Sequence, residues 1–185
     1  GDRETGVSFM EMVLQMDAGD VFLQEKVRIT PDMDSLELEK ELLVVSKKRL
    51  QEFISNFDEY DQRKMAQNEQ EVTYAPKILS EDMKLDMSQD KQVMLNQIRA
   101  LAPQPGAYIQ IELAGKIKRL KILKAESTSL PQKETRLKLF QKHGFLYLQG
   151  ECAILKVNEL QLEGKKVISA EDFVRGAPNE ISILD

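Results

Sequence analysis

Two carboxylates beside a glycine, Asp17 and Asp20 in the run Val13-Leu14-Gln15-Met16-Asp17-Ala18-Gly19-Asp20, are the residues of this chain best spaced for proton transfer. A carboxylate at the end of a strand can hold a cationic partner or organise a water. The plainer alternative is a turn in which an Asp caps its own backbone and Gly19 supplies a positive φ. Spacing alone leaves both open. A second set of chemistry-bearing side chains lies further on. The span 116–142 holds nine basic residues against only Glu126 and Glu134, and five of the nine, Lys116, Lys118, Arg119, Lys121 and Lys124, crowd its start. Charge is divided in the same sense. Residues 1–75 carry 9 Lys and Arg against 17 Asp and Glu, a net of −8, while residues 76–185 carry 17 against 14, a net of +3. A basic stripe on an otherwise acidic chain is a candidate polyanion surface, with contacts mainly to phosphate.

Other residue types close off alternatives. The one histidine, His143, sits in a Lys-His-Gly turn, and the one cysteine, Cys152, sits in an apolar run that reads as a buried strand. No internal disulfide can form, and neither residue has ligand spacing, so no metal site is expected. Phosphate-binding glycine loops and a serine nucleophile elbow are missing from the sequence. No apolar run approaches the ~18 residues a membrane span needs. Gly1 is followed at once by charged residues, so no signal peptide is expected, and a single unpaired cysteine suits the cytoplasm.

The elements that must position these side chains follow from periodicity. Strands are expected over 6–12 and 21–29, bracketing the Asp17 loop. Helix-start residues at 30–35 lead into a helix over 35–57, whose Leu36, Leu42, Leu43, Leu50, Phe53, Ile54 and Phe57 form one apolar stripe for packing on a sheet. The polar stretch 60–75 reads as a linker. A helix over 89–102, with Ser88 as N-cap and Met94, Ile98 and Leu101 inward, stops at Pro103. Strands over 107–113 and 117–125 flank an Ala114-Gly115 turn. Further strands are expected over 136–140, 145–149 and 153–162, before a helix from Ser169 to Gly176. Several short antiparallel strands in about 80 residues fit a small closed barrel, since closure removes unpaired edges.

Longer motifs resemble one family. The opening Gly1-Asp2-Arg3-Glu4-Thr5-Gly6-Val7-Ser8 with Asp17-Ala18-Gly19-Asp20 looks like the second half of the catalytic domain of folate-dependent formyltransferases, though Val13 and Gln15 replace an Asp and a Gly usual there. Thr73-Tyr74-Ala75-Pro76-Lys77 is similar to a signature that follows the family's linker. Arg99-Ala100-Leu101-Ala102-Pro103-Gln104-Pro105-Gly106-Ala107 resembles its helix-to-strand elbow. The run 160–176, with Gly164-Lys165-Lys166 and Ala170-Glu171-Asp172-Phe173, closely resembles the end signature of the methionyl-tRNA formyltransferase family.

The resemblance implies an α+β chain in three parts. Residues 1–59 would be the end of a Rossmann-like α/β catalytic domain, 60–75 a linker, and 76–185 an OB-like barrel with flanking helices that binds tRNA. It implies 10-formyltetrahydrofolate as donor and initiator methionyl-tRNA as acceptor. It assigns Asp17 as the catalytic carboxylate and lays Val13 and Asp17 along the folate. Arg99, Lys118, Arg119, Lys121, Lys124, Lys165 and Lys166 become candidate tRNA contacts. The Asn-x-His partners of that Asp are not in this sequence, so the N-terminal half of the catalytic domain is expected to lie outside it, and the chain alone should be inactive. Competing readings are a relative with another amine substrate and a stand-alone RNA-binding barrel.

Overall fold

The computed structural model describes residues 1–132 and 135–184. Lys133 and Glu134 of the basic span lie outside these. The described residues divide into two compact units, 2–77 and 78–184 with Gly1.

In the first unit, β1 (Glu4–Met10) pairs antiparallel with β2 (Val21–Arg28), in register from Glu4 opposite Arg28 to Phe9 opposite Leu23. Helix α1 (Ser35–Ser55) lies on this pair. It starts at Asp34, whose carboxylate accepts from the Glu37 amide while Glu37 accepts from the Asp34 amide, a reciprocal capping box. A short α2 (Phe57–Gln62) follows. The core here is aromatic: Phe53 stands 5.3 to 5.7 Å, centroid to centroid, from Phe9, Phe22, Phe57 and Tyr60. The expected stripe is present but only partly covered: no residue of α1 is buried, and Leu36, Leu43, Leu50 and Ile54, with Phe57 at the start of α2, are exposed. The reason is width. A 21-residue helix is roughly 30 Å long, and two strands about 5 Å apart cannot cover it.

The stretch 60–75, expected as a linker, is in part fastened to this unit. Met65 makes paired backbone bonds with Val21 (2.8 and 3.0 Å), and Lys64 bridges Glu11 and Asp61.

The second unit is built around a barrel. Helix α3 (Lys91–Leu101) buries Met94, Ile98 and Leu101, as its period requires. Its cap is Asp90, not Ser88: Asp90 accepts from the Gln92 and Val93 amides, while Ser88 donates to Asp86. An aspartate two residues later takes the capping position because its carboxylate reaches two amide donors at once.

Strands β3 (Ala107–Leu113), β4 (Lys116–Ser127), β5 (Lys138–Lys142), β6 (Phe145–Gln149), β7 (Ile154–Leu162), β8 (Val167–Ser169) and β9 (Glu180–Leu184) form one antiparallel sheet in the order β4-β3-β9-β5-β6-β7-β8. An added pairing of β4 with β7 closes six of these strands into a ring. Helix α4 (Ala170–Gly176) is capped by the Ser169 hydroxyl accepting from the Asp172 amide. The small closed barrel expected from the sequence is therefore present, with six strands where an OB-fold has five. Its core is continuous, including Ile109, Ile111, Leu120, Ile122, Leu139, Leu148, Leu155 and Leu160, none more than 1% exposed.

Strand β9 had no counterpart in the sequence reading, and it is the strand that joins β3 to β5. Cys152, expected to be buried in a strand, is exposed and precedes β7. The break is set by a tight connection in which the Gly150 amide donates to the Ala153 carbonyl.

Candidate functional site

The loop between β1 and β2 is pinched at its base, where the Glu11 amide donates to the Asp20 carbonyl at 2.9 Å. Gln67 props it from below, its side-chain amide donating to the carbonyls of Asp17 (2.8 Å) and Gly19 (2.7 Å). Gly19 is buried here for a reason other than turn conformation. A Cβ on it would lie 1.9 Å from the Glu11 carbonyl oxygen, so only a glycine lets the two arms approach. The positive φ belongs instead to Asp17, at 56°. An aspartate tolerates that region better than most residues.

The loop presents its side chains outward. Asp17 is exposed, and its carboxylate has no hydrogen bond or ion pair among the described residues. Met12, Leu14 and Met16 are almost fully exposed and Val13 about half. An unengaged carboxylate can hold a proton-bearing group, and exposed apolar side chains in the same loop can lie against a flat ring system. Asp20, the second carboxylate, is half-buried at the loop's base.

The second candidate lies on the barrel and is shaped by strand parity. On β4, Leu120 and Ile122 point into the core, and Lys116 and Lys118 share their parity at the strand's start. Arg119 and Lys121 take the opposite, outer face, beside Gln110 and Tyr108 of β3. The Arg119 guanidinium lies 4.7 Å from the centre of the Tyr108 ring, a cation–π contact. A bulge between Ile122 and Ala125 resets the alternation, and Lys124 then stands exposed opposite Glu159 of β7.

Lys165 and Lys166 are exposed in the turn between β7 and β8. This turn is bonded to β4: the Glu163 amide donates to the Arg119 carbonyl at 2.9 Å, and the Arg119 amide donates to the Glu163 carboxylate at 3.1 Å. These bonds bring the turn that carries Lys165 and Lys166 next to β4, whose outer face carries Arg119 and Lys121. The fold does not gather the whole expected set. Lys118 falls on inward parity and is half-buried, and Arg99 on α3 bonds Asn96 of its own helix at 3.1 Å. His143 is exposed in the β5–β6 turn, with φ 52° followed by Gly144 at 80°.

Among the described residues no group of three or more His, Cys, Asp or Glu is placed to hold a metal ion, and no helix is long and apolar enough to cross a membrane.

The chain thus has two parts, a hairpin-and-helix unit that carries the Asp17 loop and, later in the sequence, an antiparallel six-stranded barrel that carries exposed basic residues. Residues 77–178 match the family model described as formyl transferase, C-terminal domain, and the chain belongs to the formyl transferase family. It is 36% identical over 185 residues to a methionyl-tRNA formyltransferase of Protochlamydia amoebophila, covering all of this chain and 58% of that protein. It is 38% identical over 180 residues to one of Symbiobacterium thermophilum, covering 95% and 54%. The chain thus spans somewhat over half the length of the curated relatives it matches.

Solved structures carry the same fold at low identity. HypX from Aquifex aeolicus in complex with tetrahydrofolic acid aligns with TM-score 0.67 and 19% identity over 94% of this chain and 30% of that one. An N-formyltransferase from Helicobacter canadensis, in complex with folinic acid and dTDP-3-aminofucose, aligns with TM-score 0.61 and 15% identity over 84% and 55%.

Proposed function

We propose that this chain is part of a cytoplasmic methionyl-tRNA formyltransferase, which moves the formyl group of 10-formyltetrahydrofolate onto the amino group of methionyl-initiator tRNA. Residues 1–59 contribute to the catalytic domain, 60–75 connect, and 76–185 bind the tRNA. The observation that carries this reading is a cationic face on an acidic chain, in a family whose 36%-identical relatives are named methionyl-tRNA formyltransferases.

The chemistry asks for few groups. The amine attacks the formyl carbon, a tetrahedral adduct forms with negative charge on its oxygen, and a proton must leave the amine before the folate nitrogen departs. The Asp17 carboxylate, exposed and without a partner among the described residues, suits the family's role of holding a protonated histidine and ordering a water. That histidine and its asparagine would come from outside this chain, whose own His143 belongs to the barrel. Val13 and its apolar neighbours offer the surface against which the pterin of the donor can lie. On the barrel, Arg119, Lys121, Lys165 and Lys166, with Lys124 beyond the bulge, meet phosphates of the tRNA. Arg99 and Lys118 are further candidates for that contact.

The test is a formylation assay of the full-length protein with 10-formyltetrahydrofolate as donor and two acceptors, methionyl-initiator tRNA and an amino-sugar nucleotide of the kind bound in the Helicobacter structure. Formyl-methionyl-tRNA as the product supports the reading. Formylation of the sugar alone, or of neither, overturns it.

A further inference from the structure

An acid, Glu163, stands between β7 and the Lys165–Lys166 turn and bonds the backbone of Arg119. Glu163 meets both backbone groups of Arg119 that point toward β7: its own amide donates to the Arg119 carbonyl, and its carboxylate Oε2 accepts from the Arg119 amide. The side chain therefore continues the β4–β7 ladder by one step past Leu120 opposite Leu162, where the backbone has already turned away. Beyond it the chain reverses tightly. The Lys165 amide donates to the Leu162 carbonyl at 2.9 Å, Gly164 takes φ 73°, and Gln161 closes the turn by donating to the Lys165 carbonyl at 2.9 Å. Two bonds shape the turn internally, and among the described residues its bonds to Arg119 come from Glu163 alone.

We propose that Glu163 is a positioning residue for the polyanion surface: its carboxylate clamps the β7–β8 turn to β4, so that Lys165 and Lys166 stand with Arg119 and Lys121 as one face. This rests on the polyanion reading given above. A negative charge among four positive ones opposes phosphate binding by simple Coulomb repulsion. Were that its only effect, removing it by any substitution would tighten binding. As a clamp, its acceptor oxygen matters more than its charge. Truncation then leaves the turn only one of its two bonds to Arg119, the one from the Glu163 amide, and the two lysines cease to act together with β4.

The experiment compares the unmodified 185-residue chain with Glu163→Ala and Glu163→Gln, measuring the affinity for an initiator tRNA transcript at several salt concentrations, with thermal unfolding as a parallel readout. Four phosphates neutralised correspond to a slope of log K against log salt near −3.6. Glu163→Ala is expected to bind more weakly, with a slope shallower by about 1.8 as two contacts are lost. Its fold-loss between 50 and 200 mM salt then shrinks by about tenfold. Glu163→Gln keeps an acceptor for the Arg119 amide, and is expected to retain the slope with affinity equal to or above that of the unmodified chain. Tighter binding by Glu163→Ala, equal behaviour of the two variants, or a weaker affinity with an unchanged slope each overturns the clamp. A slope near zero in the unmodified chain instead overturns the polyanion reading itself, and the clamp with it.

Discussion

Replacing Gly19 with alanine tests how the candidate catalytic loop is held. The new Cβ would lie 1.9 Å from the Glu11 carbonyl oxygen, where ordinary contact begins at 3.4 Å, so the arms of the loop must part by about 1.5 Å. That movement breaks the Glu11–Asp20 backbone bond and pulls the Asp17 and Gly19 carbonyls off Gln67. At ~1 kcal/mol net for each, and less for those near solvent, the loss is roughly 2–3 kcal/mol. Gly164→Ala is the matched control. It too removes a turn glycine, but nothing lies within 4 Å of the added carbon, so only the left-handed backbone is penalised, by about 1–2 kcal/mol. Urea unfolding followed by far-ultraviolet circular dichroism gives both costs, and hydrogen exchange at the Glu11 amide reports the pinch directly. Gly19→Ala is expected to show the larger loss, together with faster exchange at Glu11. A cost below about 0.5 kcal/mol, or protection of that amide unchanged, would refute the close approach as the reason for this glycine.

On the barrel, Arg119→Ala with Lys121→Ala should make the salt slope of tRNA binding shallower by about 1.8, whereas Lys118→Ala should change it little, because strand parity turns Lys118 inward; filter binding across salt concentrations separates the two. Acid should loosen the lead-in to α3. The Asp86 carboxyl is held below its ordinary value of 3.8, first by the Ser88 hydroxyl, then by the Gln89 side chain and the Ser88 amide. A depressed carboxylate contributes stability above its unfolded-state value and loses it as pH falls through the folded one. The difference in unfolding midpoint between the unmodified chain and Asp86→Ala should therefore be steady above about pH 5 and shrink toward zero below pH 3.8.

Local chemistry made much of the barrel legible. The pairs Ala114-Gly115 and His143-Gly144 adopt positive φ in two-residue turns and mark two hairpins correctly. Met94, Ile98 and Leu101 announce a helix whose buried face is the one found. What escaped was long-range. Strand β9 offers only Ile181 and Ile183 as inward residues, too short an alternation to stand out, and its place between β3 and β5 depends on partners 40 or more residues away.

The basic residues were visible as a cluster, but their sorting onto two faces depends on parity and on the bulge after Ile122. Glu163 carried no signal at all, since an acid beside lysines reads as ordinary surface. At the Asp17 loop, the sequence suggested a turn glycine, whereas Gly19 is required by an approach between residues eight apart. The apolar stripe of α1 is a packing face, as its period implies, though two strands cover only part of it.

The most direct test of the account is turnover and tRNA affinity measured on the same full-length preparation carrying Asp17→Asn. An exposed carboxylate that organises proton transfer without touching the tRNA should, when made neutral, lower formylation by about 10² or more and leave tRNA binding within twofold. Near-normal turnover, or a loss of turnover matched by an equal loss of tRNA affinity, would contradict it.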